Sequence, residues 1–179
     1  MLRVILLNYK RPENVRQIVL SLWNMFPRIT VINNNPDKRL PYWGGDVDVI
    51  NNEQNFFCME RWIRCYEYPE EYKLIIDDDI LPSPKLIKNM LTSNLPITGI
   101  YGKRGVSTAN AYNELEDVWS EGEVDFLVGS VILVKQSILN EIESDLQKIG
   151  YPERGDDNSK HFSMRWNTVQ KFKNIGWTD

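Results

Sequence analysis

Three adjacent carboxylates, Asp77-Asp78-Asp79, form the densest concentration of chemistry in the chain. Side by side they repel one another and are costly to take out of water. A protein keeps such a group together most readily beside a cation. They follow directly on the apolar run of residues 73–76, which reads as a strand. In an open α/β sheet the carboxyl ends of the strands form the ligand crevice. Oxygen ligands there, without histidine or cysteine, suit a hard divalent ion, Mn²⁺ or Mg²⁺, shared with a diphosphate. The competing reading is a solvated acidic turn that caps the helix expected from Ser83.

Gly155-Asp156-Asp157 is a second acidic element, at the start of the last expected helix. There it either satisfies helix N-terminal amides or faces a reacting carbon. A third set is polar and ends other predicted strands: Asn8-Tyr9-Lys10-Arg11, Asn33-Asn34-Asn35 and Asn51-Asn52. Each asparagine alone is an ordinary turn former. Together they line one edge of the crevice, where amides read a uracil edge or a ribose hydroxyl. Arg11 or Arg61 then meets a phosphate. One histidine, His161, and two cysteines, Cys58 and Cys65, without a CxxC, exclude a structural zinc site. The seven-residue spacing of the cysteines puts both on one helical face, too far apart for a disulfide, as small buried hydrophobes.

The elements that must position these groups are legible from periodicity. Apolar runs predict strands over residues 3–7, 29–32, 47–50, 73–76 and 97–101. Val15, Ile18, Val19, Leu22, Trp23 and Phe26 recur at helical spacing between Pro12 and Pro27. Further helices are expected over residues 56–68 and 83–92, with loop over 36–46, where Pro36, Pro41 and Gly44-Gly45 interrupt the chain. Strand and helix alternate through the first half, which implies a mostly parallel sheet covered by helices. Strand-like pieces at 124–127 and 130–134 follow. A helix then carries Ile138, Leu139, Ile142, Leu146 and Ile149, and a last one carries Phe162, Trp166, Val169 and Phe172 on one side.

The chain of 179 residues is one domain of ordinary size, 1–179, with 42% hydrophobic and 26% charged residues, which excludes a disordered chain. A net charge of −4 argues against a nucleic-acid binder. The apolar stretches are too short for a membrane span or a signal-peptide core, so a cytoplasmic protein is expected. Of the aromatics, Tyr42, Trp43, Phe56, Phe57, Trp119 and Trp177 are either core and loop anchors or stacking surfaces for sugar rings.

Six short motifs in order resemble a known family. The run from Val4 to Asn14, with Asn8-Tyr9-Lys10-Arg11, is similar to the opening strand and helix of GT-A glycosyltransferases. Val31–Pro36, Asn52–Asn55 with Arg61, Leu74–Asp79, Phe126–Ser130 and Gly155–Asp157 follow in the order seen in exostosin-like transferases, glycosyltransferase family 64. The resemblance implies an α/β, Rossmann-like three-layer sandwich with a mostly parallel mixed sheet. It also implies a nucleotide-sugar donor, most often UDP-linked in that family, with Mn²⁺ or Mg²⁺. By the same resemblance Asp79 is the metal ligand, and Asp77 and Asp78 face the ribose and the sugar. Asn8, Arg11, Asn33 and Asn55 lie on the nucleoside side and Arg61 on the donor. Asp157, with Asp156, stands near the reacting centre. Gly129 and Ser130 leave room beside sugar and acceptor. His161 and Arg165 fall on the acceptor or diphosphate side, where Lys160 and Lys171 compete with Arg165 for the diphosphate.

The expected activity is therefore metal-dependent transfer of a hexosyl or N-acetylhexosaminyl unit to a hydroxyl acceptor. The resemblance favours retention, with Asp157 orienting the acceptor or stabilising the cationic sugar; inversion would make it a general base. Two alternatives stand beside it. One is a nucleotidyltransferase that makes the sugar nucleotide, although the loop after the first strand lacks that class's glycines. The other is a non-catalytic carbohydrate- or nucleotide-binding domain of the same fold.

Overall fold

Aliphatic runs that are apolar at every position must be covered on both faces, and the structure obeys that rule. It is a computed structural model that describes residues 1–93, 95–104, 116–119, 121–124, 126–128, 130–140 and 172–174. Strands β1 (Leu2–Asn8), β2 (Ile29–Asn33), β3 (Val47–Asn51) and β4 (Tyr72–Asp77) run parallel in the order β3-β2-β1-β4. Helices α1 (Pro12–Leu22), α2 (Met59–Glu67) and α3 (Pro84–Thr92) connect or follow them. Val4, Leu6, Val31, Leu74 and Ile76 pack on one face with Val15, Ile18, Val19 and Leu22 of α1 and Leu86, Ile87 and Met90 of α3. Ile5, Ile32 and Ile75 turn to the other face, against Trp62 and Cys65 of α2. The result is the expected three-layer α/β sandwich.

Beyond β4 the sheet becomes mixed. With β5 (Ile97–Gly99), β8 (Gly122–Val124), β10 (Val131–Lys135) and β11 (Phe172–Asn174) it reads β3-β2-β1-β4-β10-β5-β11-β8. Strand β10 is antiparallel to both β4 and β5. A small antiparallel sheet, β7-β6-β9, adds β6 (Gly102–Arg104), β7 (Glu116–Val118) and β9 (Phe126–Leu127). No helix among the described residues is long and apolar enough to cross a membrane.

Four expectations change here. The strand read over 97–101 stops at Gly99, where the chain leaves the main sheet; the next strand, β6, starts at Gly102 in the small sheet. A Cβ at Gly99 would lie 2.9 Å from the end of the Leu127 side chain and 3.1 Å from the Val131 carbonyl, so any larger residue there would have to displace Leu127 and crowd that carbonyl. The piece read over 124–127 likewise divides between β8 and β9. Phe172, placed on a helix by its spacing, opens strand β11, which pairs with β5 and β8. At Phe172 helical spacing does not outweigh two available strand edges; Phe162, Trp166 and Val169 lie outside the described residues. Cys58 is exposed, since α2 begins one residue later and only Cys65 joins its buried face. Burial pushes the Cys65 thiol up to about 12.

Candidate functional site

The four parallel strands all end at one edge, and three of them end in asparagine. The register sets Asn8 beside Asn33 and Asn33 beside Asn51. Their side chains join in a row. Asn8 Nδ2 donates to Asn33 Oδ1 at 2.7 Å, and Asn33 Nδ2 donates to Asn51 Oδ1 at 2.8 Å. Asn51 closes the row on the backbone of Leu40 through its oxygen at 2.7 Å and its nitrogen at 3.0 Å. Behind it, Asn52 Nδ2 donates to Asn34 Oδ1 at 2.7 Å, and Asn34 Nδ2 donates to the Phe57 carbonyl at 3.0 Å. Asn8 and Asn33 are buried, and their amides are spent within the fold. They shape the edge rather than present free amides to a ligand.

Strand β4 ends in the acidic triplet, which lies next to β1 at the Asn8 end of the row. Here the sheet order reverses direction: α1 carries the chain from β1 to β2 on one side, and β4 lies on the other. Such a switch point is where open α/β sheets hold ligands. The triplet does not cap α3. Ser83 does, accepting from the Leu86 amide at 3.2 Å, with Pro84 in the first turn. The competing reading of the triplet as a helix cap is thereby removed.

Each carboxylate has its own partner. Asp78, mostly buried, accepts from the Tyr9 amide at 3.0 Å and from Arg11 Nη1 at 2.8 Å. The same Arg11 nitrogen reaches Asp79 Oδ2 at 3.1 Å. Asp77 pairs with Arg61, delivered from the buried side of α2. Burial pushes the Asp77 carboxyl up to about 6; Asp79 and Asp78 add to the rise and Arg61 opposes it. Arg11 is held more firmly protonated than usual, chiefly by its hydrogen bond to Asp78. Three carboxylates thus share two guanidiniums, which leaves one negative charge at the edge.

Of the residues singled out in sequence, the structure brings Asn8, Arg11, Asn33, Arg61, Asp77, Asp78 and Asp79 to one edge. Ser130 joins them through its backbone: its carbonyl accepts from the Asp77 amide at 2.9 Å. Asn55 stands apart. Its side chain accepts from the Phe57 amide at 2.9 Å and closes a turn. Phe57 has φ of 54°, a left-handed conformation that costs on the order of 1 kcal/mol in a non-glycine residue. This turn leads into α2 and so sets where Arg61 emerges. Gly129, Asp156, Asp157, His161 and Arg165 lie outside the described residues, as does most of the last expected helix. Tyr42 and Trp43 line a groove beside α1 with Trp23, Val19, Leu20 and Arg16. Trp119 stacks on Tyr101 with ring centres 3.9 Å apart. Sequence reasoning did not single out Tyr101, whose only signal was an aromatic at the end of a strand.

Among the described residues no three acidic, histidine or cysteine side chains form a protein cage for a metal ion. Two carboxylate oxygens do converge on one cationic nitrogen, that of Arg11. This donor set fits a hard divalent ion that takes its remaining ligands from water and substrate phosphates.

No protein-family profile matches the chain, and no curated protein matches it in sequence. Solved structures do resemble it in fold. A CMP:2-keto-3-deoxy-manno-octonic acid synthetase complexed with CTP aligns over 99% of this chain and 90% of its own, with TM-score 0.57 and 12% identity. The inositol-1-phosphate CTP transferase from T. maritima aligns over 97% and 84%, with TM-score 0.57 and 13% identity. The 2-C-methyl-D-erythritol 4-phosphate cytidylyltransferase from Thermus thermophilus aligns over 97% and 88%, with TM-score 0.55 and 11% identity. At such identities the likeness is one of fold: α/β, Rossmann-type, with a mostly parallel mixed sheet. The exostosin-like assignment rests on the motifs alone.

Proposed function

We propose that the edge between β1 and β4 binds a nucleotide together with a divalent cation, and that the chain is a transferase in sugar–nucleotide chemistry. The observation that carries this reading is Arg11 Nη1, held between Asp78 Oδ1 at 2.8 Å and Asp79 Oδ2 at 3.1 Å at the switch point of the sheet. The fold places two carboxylates around one positive charge where nucleotides bind in related topologies. Asp78 and Asp79 would hold the ion. When bound, Mn²⁺ or Mg²⁺ neutralises charge on the phosphates. Arg11 is half-exposed, so its guanidinium is free to move from the carboxylates onto phosphate oxygens, where it binds in a fork. Arg61 is buried and stays with Asp77, holding the base of the triplet in place.

Two reactions use such an edge. The three cytidylyl-transferring neighbours support nucleotidyl transfer from CTP or another nucleoside triphosphate to a sugar phosphate. A different observation favours glycosyl transfer from a nucleotide sugar, UDP-linked by the motif resemblance. The backbone amides of Tyr9 and Arg11 are already taken by Asp78 Oδ2 and Asn8 Oδ1, so the loop after β1 does not offer them as a triphosphate cradle. In that reaction Asp157, with Asp156, keeps the role expected from sequence beside the reacting carbon.

Thermal unfolding with CTP, UDP and their sugar conjugates, with and without Mn²⁺, tests the common reading. A nucleotide should raise the midpoint only with metal, and Asp79→Ala should abolish the rise. CTP with a sugar phosphate, releasing pyrophosphate, identifies nucleotidyl transfer; release of UDP from a UDP-sugar identifies glycosyl transfer. A midpoint that no nucleotide moves at any metal concentration removes both.

A further inference from the structure

The register of the small sheet continues one step past its last backbone pair. Gly102 pairs with Val118 and Lys103 with Asp117, so Tyr101 stands opposite Trp119. Their rings lie 3.9 Å apart and 14° from parallel. This covers one face of the indole, yet Trp119 remains 52% exposed. Large aromatic surface in water is unfavourable, and a ring stacked on one side only is a platform with an open top. The lower ring is also fixed. The Tyr101 hydroxyl donates to Asp117 Oδ1, and Lys103 Nζ holds the same oxygen at 2.6 Å. A platform that keeps its orientation needs little ordering when a ligand arrives.

Its place in the fold ties it to the acidic edge. The Asp77 amide donates to the Ser130 carbonyl, the Ser130 amide to the Val128 carbonyl, and the Val128 amide to the Tyr101 carbonyl, each at 2.9 Å. Three backbone hydrogen bonds therefore link the triplet to the aromatic pair. The pair lies on the β10–β5 side of the triplet, opposite the asparagine row and Arg11 on the β1 side. The nucleotide proposed above occupies the β1 side, which leaves the aromatic side for the other reactant.

We propose that the open face of Trp119 is the floor of the second-substrate site and stacks on a pyranose ring. The assignment rests on the reading of the β1–β4 edge as the nucleotide site. A pyranose presents a face of C–H groups with hydroxyls around its rim. Trp119 offers a flat apolar face, and half-exposed Asp117 offers a carboxylate at its margin.

The test uses the whole chain, with methyl glucoside, galactoside, mannoside and N-acetylglucosaminide as probes for saturation-transfer NMR. Spectra are recorded with UDP or CTP and diamagnetic Mg²⁺ present. Ring C–H protons of at least one pyranoside should be saturated. Trp119→Ala should weaken that pyranoside about tenfold, the upper range of one aromatic contact, and Trp119→Phe should restore most of it. The nucleotide-induced rise in the unfolding midpoint should be unchanged in both variants, which also shows that both fold. A pyranoside affinity that Trp119→Ala leaves unchanged, or no saturation of any probe, overturns the proposal. Loss of the nucleotide rise in Trp119→Ala overturns it too and assigns the platform to the base. A wild-type chain that saturates a pyranoside through Trp119 but ignores every nucleotide upholds the platform and rejects the nucleotide site.

Discussion

The two ends of the parallel strands carry charge at similar density and use it in opposite ways. At the amino end, Arg3 of β1 reaches Glu70 at 3.0 Å, Asp48 at 2.8 Å and Thr30 Oγ1 at 3.0 Å, and its guanidinium lies 3.9 Å over the Tyr68 ring. Arg28 adds a second bond to Glu70 at 2.8 Å. Lys73, fully buried, donates to the Glu70 carbonyl and to Gln136. Burial alone would raise the Glu70 carboxyl; the hydrogen bonds from Arg3 and Arg28 outweigh it and hold it at about 2. At the carboxyl end Asp77 is pushed the other way, up to about 6. One end has cations to spare around a single buried acid. The other has more acids than cations, and its outermost pair, Arg11 and Asp79, stands in water. The first is a closed network that serves the fold, and the second is an open one with room for a further positive charge.

Breaking the closed end should have the largest effect. Glu70→Gln takes away the one buried carboxylate of Arg3, leaving it only the half-exposed Asp48, and should cost about 3 kcal/mol in urea unfolding. Nucleotide binding by the fraction that remains folded should be unaltered. At the open end Asp79→Asn should do the reverse. Its pair with Arg11 is exposed on both sides and is worth about 0–1 kcal/mol, so stability should barely change. What disappears is the stabilisation by nucleotide and Mn²⁺, about 2.7 kcal/mol at a ligand concentration roughly a hundredfold above its dissociation constant.

Asn33→Ala sharpens the comparison within the carboxyl edge itself. Asn33 ends a strand in the crevice but its amide bonds Asn8, Asn51 and the carbonyls of Asn35 and Lys38. It should behave like the closed end and cost about 1–3 kcal/mol, because its buried partners lose their bonds. A large stability loss at Asn33 and none at Asp79 would divide the edge into a framework half and a working half.

The pH dependence separates the two ends by the sign of its slope. Glu70 titrates near 2 when folded against 4.5 when unfolded, so the unfolded chain binds the extra proton. The stability it contributes is complete above pH 4.5 and fades as the pH falls toward 2. Asp77 titrates near 6 when folded against 3.8 when unfolded, so here the folded chain holds the extra proton. Its contribution makes stability fall as the pH rises from 3.8 to 6. Unfolding free energies measured across both windows should lose the lower slope in Glu70→Gln and the upper slope in Asp77→Asn, whatever each variant does to absolute stability.

The amino-acid sequence by itself determined the parallel half of the sheet and the chemistry of its edge. Short aliphatic runs ending in asparagine or aspartate, alternating with stripes such as Val15, Ile18, Val19 and Leu22, admit one arrangement: strands buried on both faces with polar ends in a row. These are local signals, carried by residues within one or two turns of each other. Pairings between distant residues were decided only by the tertiary structure. Arg11 meets Asp78 across 67 positions, and Arg3 meets Glu70 across another 67. Any of several arginines satisfies the sequence equally well until the register of β1 against β4 is set. The divisions at Gly99 and before Phe126 were illegible for the same reason. A run of strand-forming residues does not reveal which sheet it will join, and that choice depends on the edges other segments leave open. Trp119 shows the limit most clearly. Its spacing gives no sign of Tyr101 beneath it, and only the fold brings the two rings together.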